Sequence, residues 1–112
     1  VSDEIKMYLS QGEAGVGITF SGEAKTALER NPKLAYTVPK EGSNIWFDNI
    51  VIPKTARNVE GAYALINFLL RPDVAARNAE YIGYATPNKT AMEQLPEEVT
   101  QDTAFYPNDE HA

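Results

Sequence analysis

The sequence predicts an α/β fold whose sheet is incomplete. Helix-period and strand-period segments alternate along the 112 residues. One segment, Asn44-Ile45-Trp46-Phe47-Asp48-Asn49-Ile50-Val51-Ile52-Pro53, is apolar on both faces, as a strand covered on each side requires. Only about three strands can be read, so the chain is expected to be a piece of a larger fold.

The elements follow in order. Ser2 is placed to cap a short helix, with Asp3 and Glu4 in the first turn, where a helix favours carboxylates. Ile5, Tyr8 and Leu9 keep helical spacing and Gly12 ends the run. Ala14, Val16, Ile18 and Phe20 then alternate with Gly15, Gly17 and Thr19, which predicts a strand whose glycine face admits another element closely. Ser21-Gly22 turns into a second helix carrying Ala24, Ala27 and Leu28, ended by Asn31-Pro32. Leu34, Tyr36 and Val38 alternate in a short strand closed by Pro39, and the two-faced apolar strand comes next. Asn58 caps a helix with the stripe Val59, Ala62, Tyr63, Ile66, Leu69 and Leu70. Arg71-Pro72-Asp73 breaks that helix and opens another that runs toward Tyr81, with Gly83 just beyond. Thr86-Pro87-Asn88 is a turn. Residues 89–112 are more polar and are expected to hold one or two short helical turns.

Composition excludes several functions. Acidic residues outnumber basic ones 16 to 10, and a net charge of -6 does not suit nucleic acid. The absence of cysteine excludes disulfides, thiolate zinc sites and a cysteine nucleophile. The single histidine, His111, lies one residue from the end, where a catalytic or metal role is not expected. There is no phosphate-binding loop, no nucleophile elbow and no metal-spaced histidine pair. No apolar run is long enough to span a bilayer. Val1-Ser2-Asp3-Glu4 does not read as a signal sequence, so either the mature protein begins elsewhere or a leader lies outside these residues.

Trp46 and Asp48 are the leading site candidates. Two apart on a predicted strand, they point to one face. A carboxylate beside an indole is a coherent receptor for an organic cation: the ring face contributes about 0.5–2 kcal/mol and a charged hydrogen bond roughly 1.5–3 kcal/mol. Ile45, Phe47, Ile50, Val51 and Ile52 would enclose Asp48 in apolar matter, and a buried carboxylate needs a partner. That partner is a ligand ammonium, or an internal base or backbone amide; alternatively Asp48-Asn49 is an exposed turn. Phe20, at the end of its strand, is either a pocket wall or a core residue. Tyr84, in the loop after Gly83, either meets ligand or folds back beneath the loop.

The strings themselves carry a resemblance. Gly12-Glu13-Ala14-Gly15-Val16-Gly17, Phe20-Ser21-Gly22-Glu23-Ala24, Val38-Pro39-Lys40-Glu41-Gly42, Trp46-Phe47-Asp48, Asn67-Phe68-Leu69-Leu70-Arg71-Pro72-Asp73-Val74-Ala75 and Ile82-Gly83-Tyr84-Ala85-Thr86-Pro87-Asn88 resemble the spermidine/putrescine-binding proteins of ABC transporters. The resemblance implies the later part of a two-lobed type II periplasmic-binding-protein fold. Residues 1–45 would then belong to the second lobe, 46–88 to the first, and 89–112 would form a return segment. It implies a ligand site in which Asp48 binds an amine, Trp46 stacks along the aliphatic spine, and Tyr84 and Ser2 stand at the pocket. Phe20 departs from the family's usual tryptophan, and helix capping is an adequate alternative role for Ser2. It implies a polyamine ligand, an ABC permease partner, the missing N-terminal lobe of the same receptor, and a location in the periplasm or on the extracellular face of the cytoplasmic membrane. No cofactor, no metal, no nucleic acid and no catalysis are implied. The alternatives are a receptor for another small solute, a fragment that binds nothing, and an enzyme on the same fold.

Overall fold

Helix ends in this chain are set by local chemistry, and most of them lie where the sequence puts them. The computed structural model describes residues 4–45 and 47–107. Among these, six helices form: α1 (Ile5–Gln11), α2 (Ser21–Arg30), α3 (Val59–Leu69), α4 (Pro72–Ile82), α5 (Lys89–Met92) and α6 (Glu97–Thr100). Gly12 ends α1 in the left-handed conformation, φ 77°, with its N–H turned back to the carbonyls of Tyr8 and Leu9. The Asn58 side chain accepts the Gly61 N–H at 2.8 Å and so caps α3. Pro72 occupies the first turn of α4, and Gly83 closes that helix at φ 81°. The predicted short turns of the C-terminal segment are α5 and α6.

Two packed groups result. In the first, α1 lies on α2: Leu9, Ala24 and Ala27 are buried, Asn31 Nδ2 donates to the Ser10 carbonyl at 3.2 Å, and Lys6 pairs with Glu23. Of the two glycines predicted to admit another element, Gly17 does so, since a Cβ there would stand 2.9 Å from Ile5 Cγ2 and 3.0 Å from Leu9 Cδ1, whereas Gly15 has nothing within 4 Å. In the second group Ala76 of α4 meets Ala91 of α5 and Leu95, with Ala75, Ala79 and Tyr106 packed against them. Asn88 joins three elements. Its Oδ1 accepts the Ala91 N–H at 3.1 Å, capping α5; its Nδ2 donates to the Leu70 carbonyl at 2.8 Å, just past α3; and its N–H donates to Thr86 Oγ1. The Tyr36 and Phe105 rings stand 5.3 Å apart, tying residues 34–39 to the C-terminal segment.

The predicted strands do not form. Residues 14–20, 34–38, 44–45 and 47–53 are extended or irregular, and among the described residues no strand ladder exists. The reason is physical. A helix satisfies its own N–H and C=O groups, whereas a strand needs a neighbour to do so, and these three segments do not pair with one another. Much of their apolar surface points into solvent: Val16 is 90% exposed, Ile18 78% and Phe47 68%, while Leu34 and Tyr36 are half-buried. The apolar stripe of α3 is likewise poorly covered: no residue of the helix is buried, Val59, Tyr63 and Leu70 are exposed, and Ala62, Ile66 and Leu69 are half-buried. The accessible surface is 9072 Å², against about 6,100 Å² for a folded monomer of this mass. The radius of gyration is 16.6 Å, against about 13 Å for a compact domain of this length. No helix among the described residues is long and apolar enough to cross a membrane.

Candidate functional site

Ser2 and Trp46 lie outside the described residues, so the site is built from Phe20, Asp48 and Tyr84. Phe20 is the N-cap residue of α2. Its backbone is extended at φ -74°, ψ 153°, and its carbonyl accepts the Ala24 N–H at 2.9 Å, the first bond of the helix. The ring is half-buried.

Tyr84 follows the left-handed Gly83 and is carried back onto the start of α2. Its ring presses on Gly22: a Cβ there would lie 2.1 Å from Cε2 and 2.4 Å from Cδ2. The ring remains 38% exposed. The ring thus packs on the start of α2 and the residue keeps an exposed face. Phe20 and Tyr84 therefore both belong to the N-terminal end of α2. Gly22 and Lys25, whose aliphatic stem covers Gly83, were not singled out as site residues. The signal was only the Ser21-Gly22 turn, which says nothing of what lies above it.

Asp48 is exposed, in a segment without regular structure. The expected apolar enclosure does not form, because Phe47, Ile50 and Val51 face outward as well. Asn49 Nδ2 donates to the Phe47 carbonyl at 2.9 Å, bracing the backbone across Asp48. Asp48 belongs to neither ion pair found among the described residues.

A cavity of about 200 Å³ opens between α2, the end of α4 and residues 95–106. Leu28, Leu95 and Phe105 supply apolar wall, and Glu80, Glu98 and Asp102 supply carboxylates. Of the predicted residues among those described, Tyr84 lines it, beside Lys25 and Gly83, and Phe20 and Asp48 do not. Elsewhere, Asp73 and Tyr36 titrate away from their ordinary values. Arg71 donates to both oxygens of Asp73, at 3.2 and 2.9 Å, and holds that carboxyl below the usual range. Burial raises Tyr36. No cluster of His, Cys, Asp or Glu suited to a metal is present among the described residues.

A family model described as "Bacterial extracellular solute-binding protein" matches residues 3–107. The spermidine/putrescine-binding periplasmic protein of Salmonella typhimurium is 47% identical over 98 residues, covering 88% of this chain and 28% of that protein. The protein of the same description from Escherichia coli is 46% identical over 100 residues, covering 89% and 29%. Among solved structures, a spermidine/putrescine ABC transporter substrate-binding protein from Streptococcus pneumoniae superposes with a TM-score of 0.88 at 57% identity, covering 96% of this chain and 33% of that one. The chain thus spans about a third or less of the length of these relatives. An exposed apolar surface that its own helices leave uncovered accords with that proportion. With the match running through nearly every described residue, the chain belongs to the bacterial extracellular solute-binding protein family.

Proposed function

We propose that this chain forms the later part of an ABC-importer receptor that captures a polyamine of the spermidine/putrescine class between two lobes. The observation that carries the reading is the 57% identity to a substrate-binding protein of that description over 96% of the chain. The geometry is in keeping with it. Phe20 and Tyr84 offer aromatic surface at the start of α2, and Asp48 offers an exposed carboxylate that belongs to neither ion pair found among the described residues. The chemistry is recognition without bond making. Apolar rings desolvate the methylene chain, and the carboxylate fixes an ammonium through a charge-assisted hydrogen bond. In the full-length receptor, where this segment would pair as a strand, the two-residue spacing would put Trp46 on the face of Asp48 and along the ligand's spine, and Ser2 would stand at the pocket edge.

In this reading residues 1–45 contribute to the second lobe, 46–88 to the first, and 89–112 return between them. The uncovered strand segments are the surfaces that the receptor's N-terminal lobe and remaining strands cover. The receptor works outside the cytoplasmic membrane, as the periplasmic relatives are named, and delivers its ligand to a membrane permease. Calorimetry on the full-length receptor tests the proposal. Spermidine or putrescine should bind at micromolar affinity or better, and Asp48→Asn should weaken binding about ten- to a hundredfold, the loss of one charged hydrogen bond. The isolated 112 residues, holding part of the cleft, should bind very weakly. A full-length protein silent toward both amines would point instead to another solute.

A further inference from the structure

We propose that Gly22 is a positioning residue for the ligand site: its missing side chain leaves the seat in which the Tyr84 ring rests. The inference builds on the reading of Tyr84 as a ligand-facing residue. Gly22 lies in the first turn of α2 and is buried. A glycine inside a helix is less stable than an alanine, so its presence there calls for a reason. Conformation is not the reason, because the left-handed glycines of this chain are Gly12, Gly42 and Gly83. Space is the reason. A methyl at 22 would stand 2.1, 2.4 and 2.6 Å from Cε2, Cδ2 and Cζ of Tyr84. Those distances are far inside van der Waals contact, and the obstructing group is a ring with two soft torsions rather than a freely bending chain end.

The backbone supports the same arrangement from the other side. Gly83 is held left-handed as the cap of α4, which directs the next residue across α2. A Cβ at Gly83 would lie 3.7 Å from the Gly22 carbonyl oxygen and 3.1 Å from Lys25 Cδ, so the two backbones approach closely at this point. Tyr84 is therefore placed by α2 as well as by its own loop. Since Phe20 begins α2, the seat at Gly22 keeps both aromatic residues on one rigid element.

A double-mutant cycle on the full-length protein tests this, reading spermidine and putrescine affinity by calorimetry and thermal midpoint by scanning. Gly22→Ala is expected to weaken binding about tenfold or more, as Tyr84→Ala does, and the double variant to bind no worse than Tyr84→Ala alone. The double variant is also expected to melt above Gly22→Ala, because removing the ring removes the collision. Losses that add in the double variant, or a Gly22→Ala protein that melts lower yet binds normally, overturn the inference. So does a Tyr84→Ala protein of unchanged affinity, which leaves the polyamine reading standing. A wild-type protein that binds neither amine overturns the functional reading instead. In that case the melting cycle still decides whether Gly22 seats Tyr84, rescue supporting it and additivity overturning it.

Discussion

Residues 72–106 and residues 44–53 have comparable claims to structure in the sequence and opposite fates in the fold. The first region holds α4, α5 and α6, closed by Gly83 and Asn88 and packed around Ala76, Ala91 and Leu95. The second is apolar on both faces in sequence, yet Ile45, Phe47, Ile50 and Val51 all face solvent. The difference lies in where each kind of element finds its hydrogen bonds. Helices close theirs within four residues, and a few small side chains suffice to dock them. A two-faced strand needs neighbours on both edges and layers on both faces, and none of these is available from the rest of the described chain. Hydrophobicity alone did not bury the segment.

Hydrogen exchange on the isolated chain should show the widest gap between the two regions. Amides of residues 47–53 are expected to exchange near the unprotected rate, and the interior amides of α4 about a hundredfold slower or more. Equal protection would break the comparison. Side-chain truncation should sharpen it next. Leu95→Ala removes one of the largest side chains of the small core, 7% exposed, and should cost about 2 kcal/mol in urea denaturation. Val16→Ala, at 90% exposure, should change stability by less than about 0.5 kcal/mol in the same chain. In the full-length receptor, where the strand is proposed to be covered, Val16→Ala should become costly.

The smallest effect concerns charge. The Arg71 hydrogen bonds depress the Asp73 carboxyl, so the folded state takes up its proton at lower pH than the unfolded chain, whose carboxyl titrates near about 3.9. The contribution is present above that value and fades as pH falls through the folded value. Arg71→Ala should return Asp73 to the ordinary carboxylate range in an NMR titration. Neutral-pH stability should hardly change, because both partners are exposed.

What could be read in advance follows the same division. The spans of α2, α3 and α4 were legible because their signals are local: Asn31-Pro32, Asn58 three residues before Gly61, Pro72 and Gly83. The strand segments were legible as patterns but not as strands, since the pattern records which residues seek cover and not whether cover is present. Asp48 shows the cost of that gap. Its neighbours promised enclosure, and the fold leaves Ile45, Phe47, Ile50 and Val51 outward, with only Ile52 half-buried. The Tyr84 contact was legible only as one of two open roles, because Gly22 is distant in sequence and a glycine advertises empty space without naming its occupant. Resemblance supplied what periodicity could not, the kinship of Trp46-Phe47-Asp48 and Ile82 through Asn88 with polyamine receptors.

The Asn88 amide has one oxygen and one nitrogen, and the fold uses them for opposite tasks: the oxygen receives from the α5 backbone and the nitrogen gives to the Leu70 carbonyl. Hydrolysis to aspartate would keep the shape and even favour the α5 cap, since a carboxylate suits a helix start. It would also set one electron-rich oxygen against another where α3 ends. A chemical ageing event too small to alter the outline of the side chain would thus unfasten one helix while tightening its neighbour.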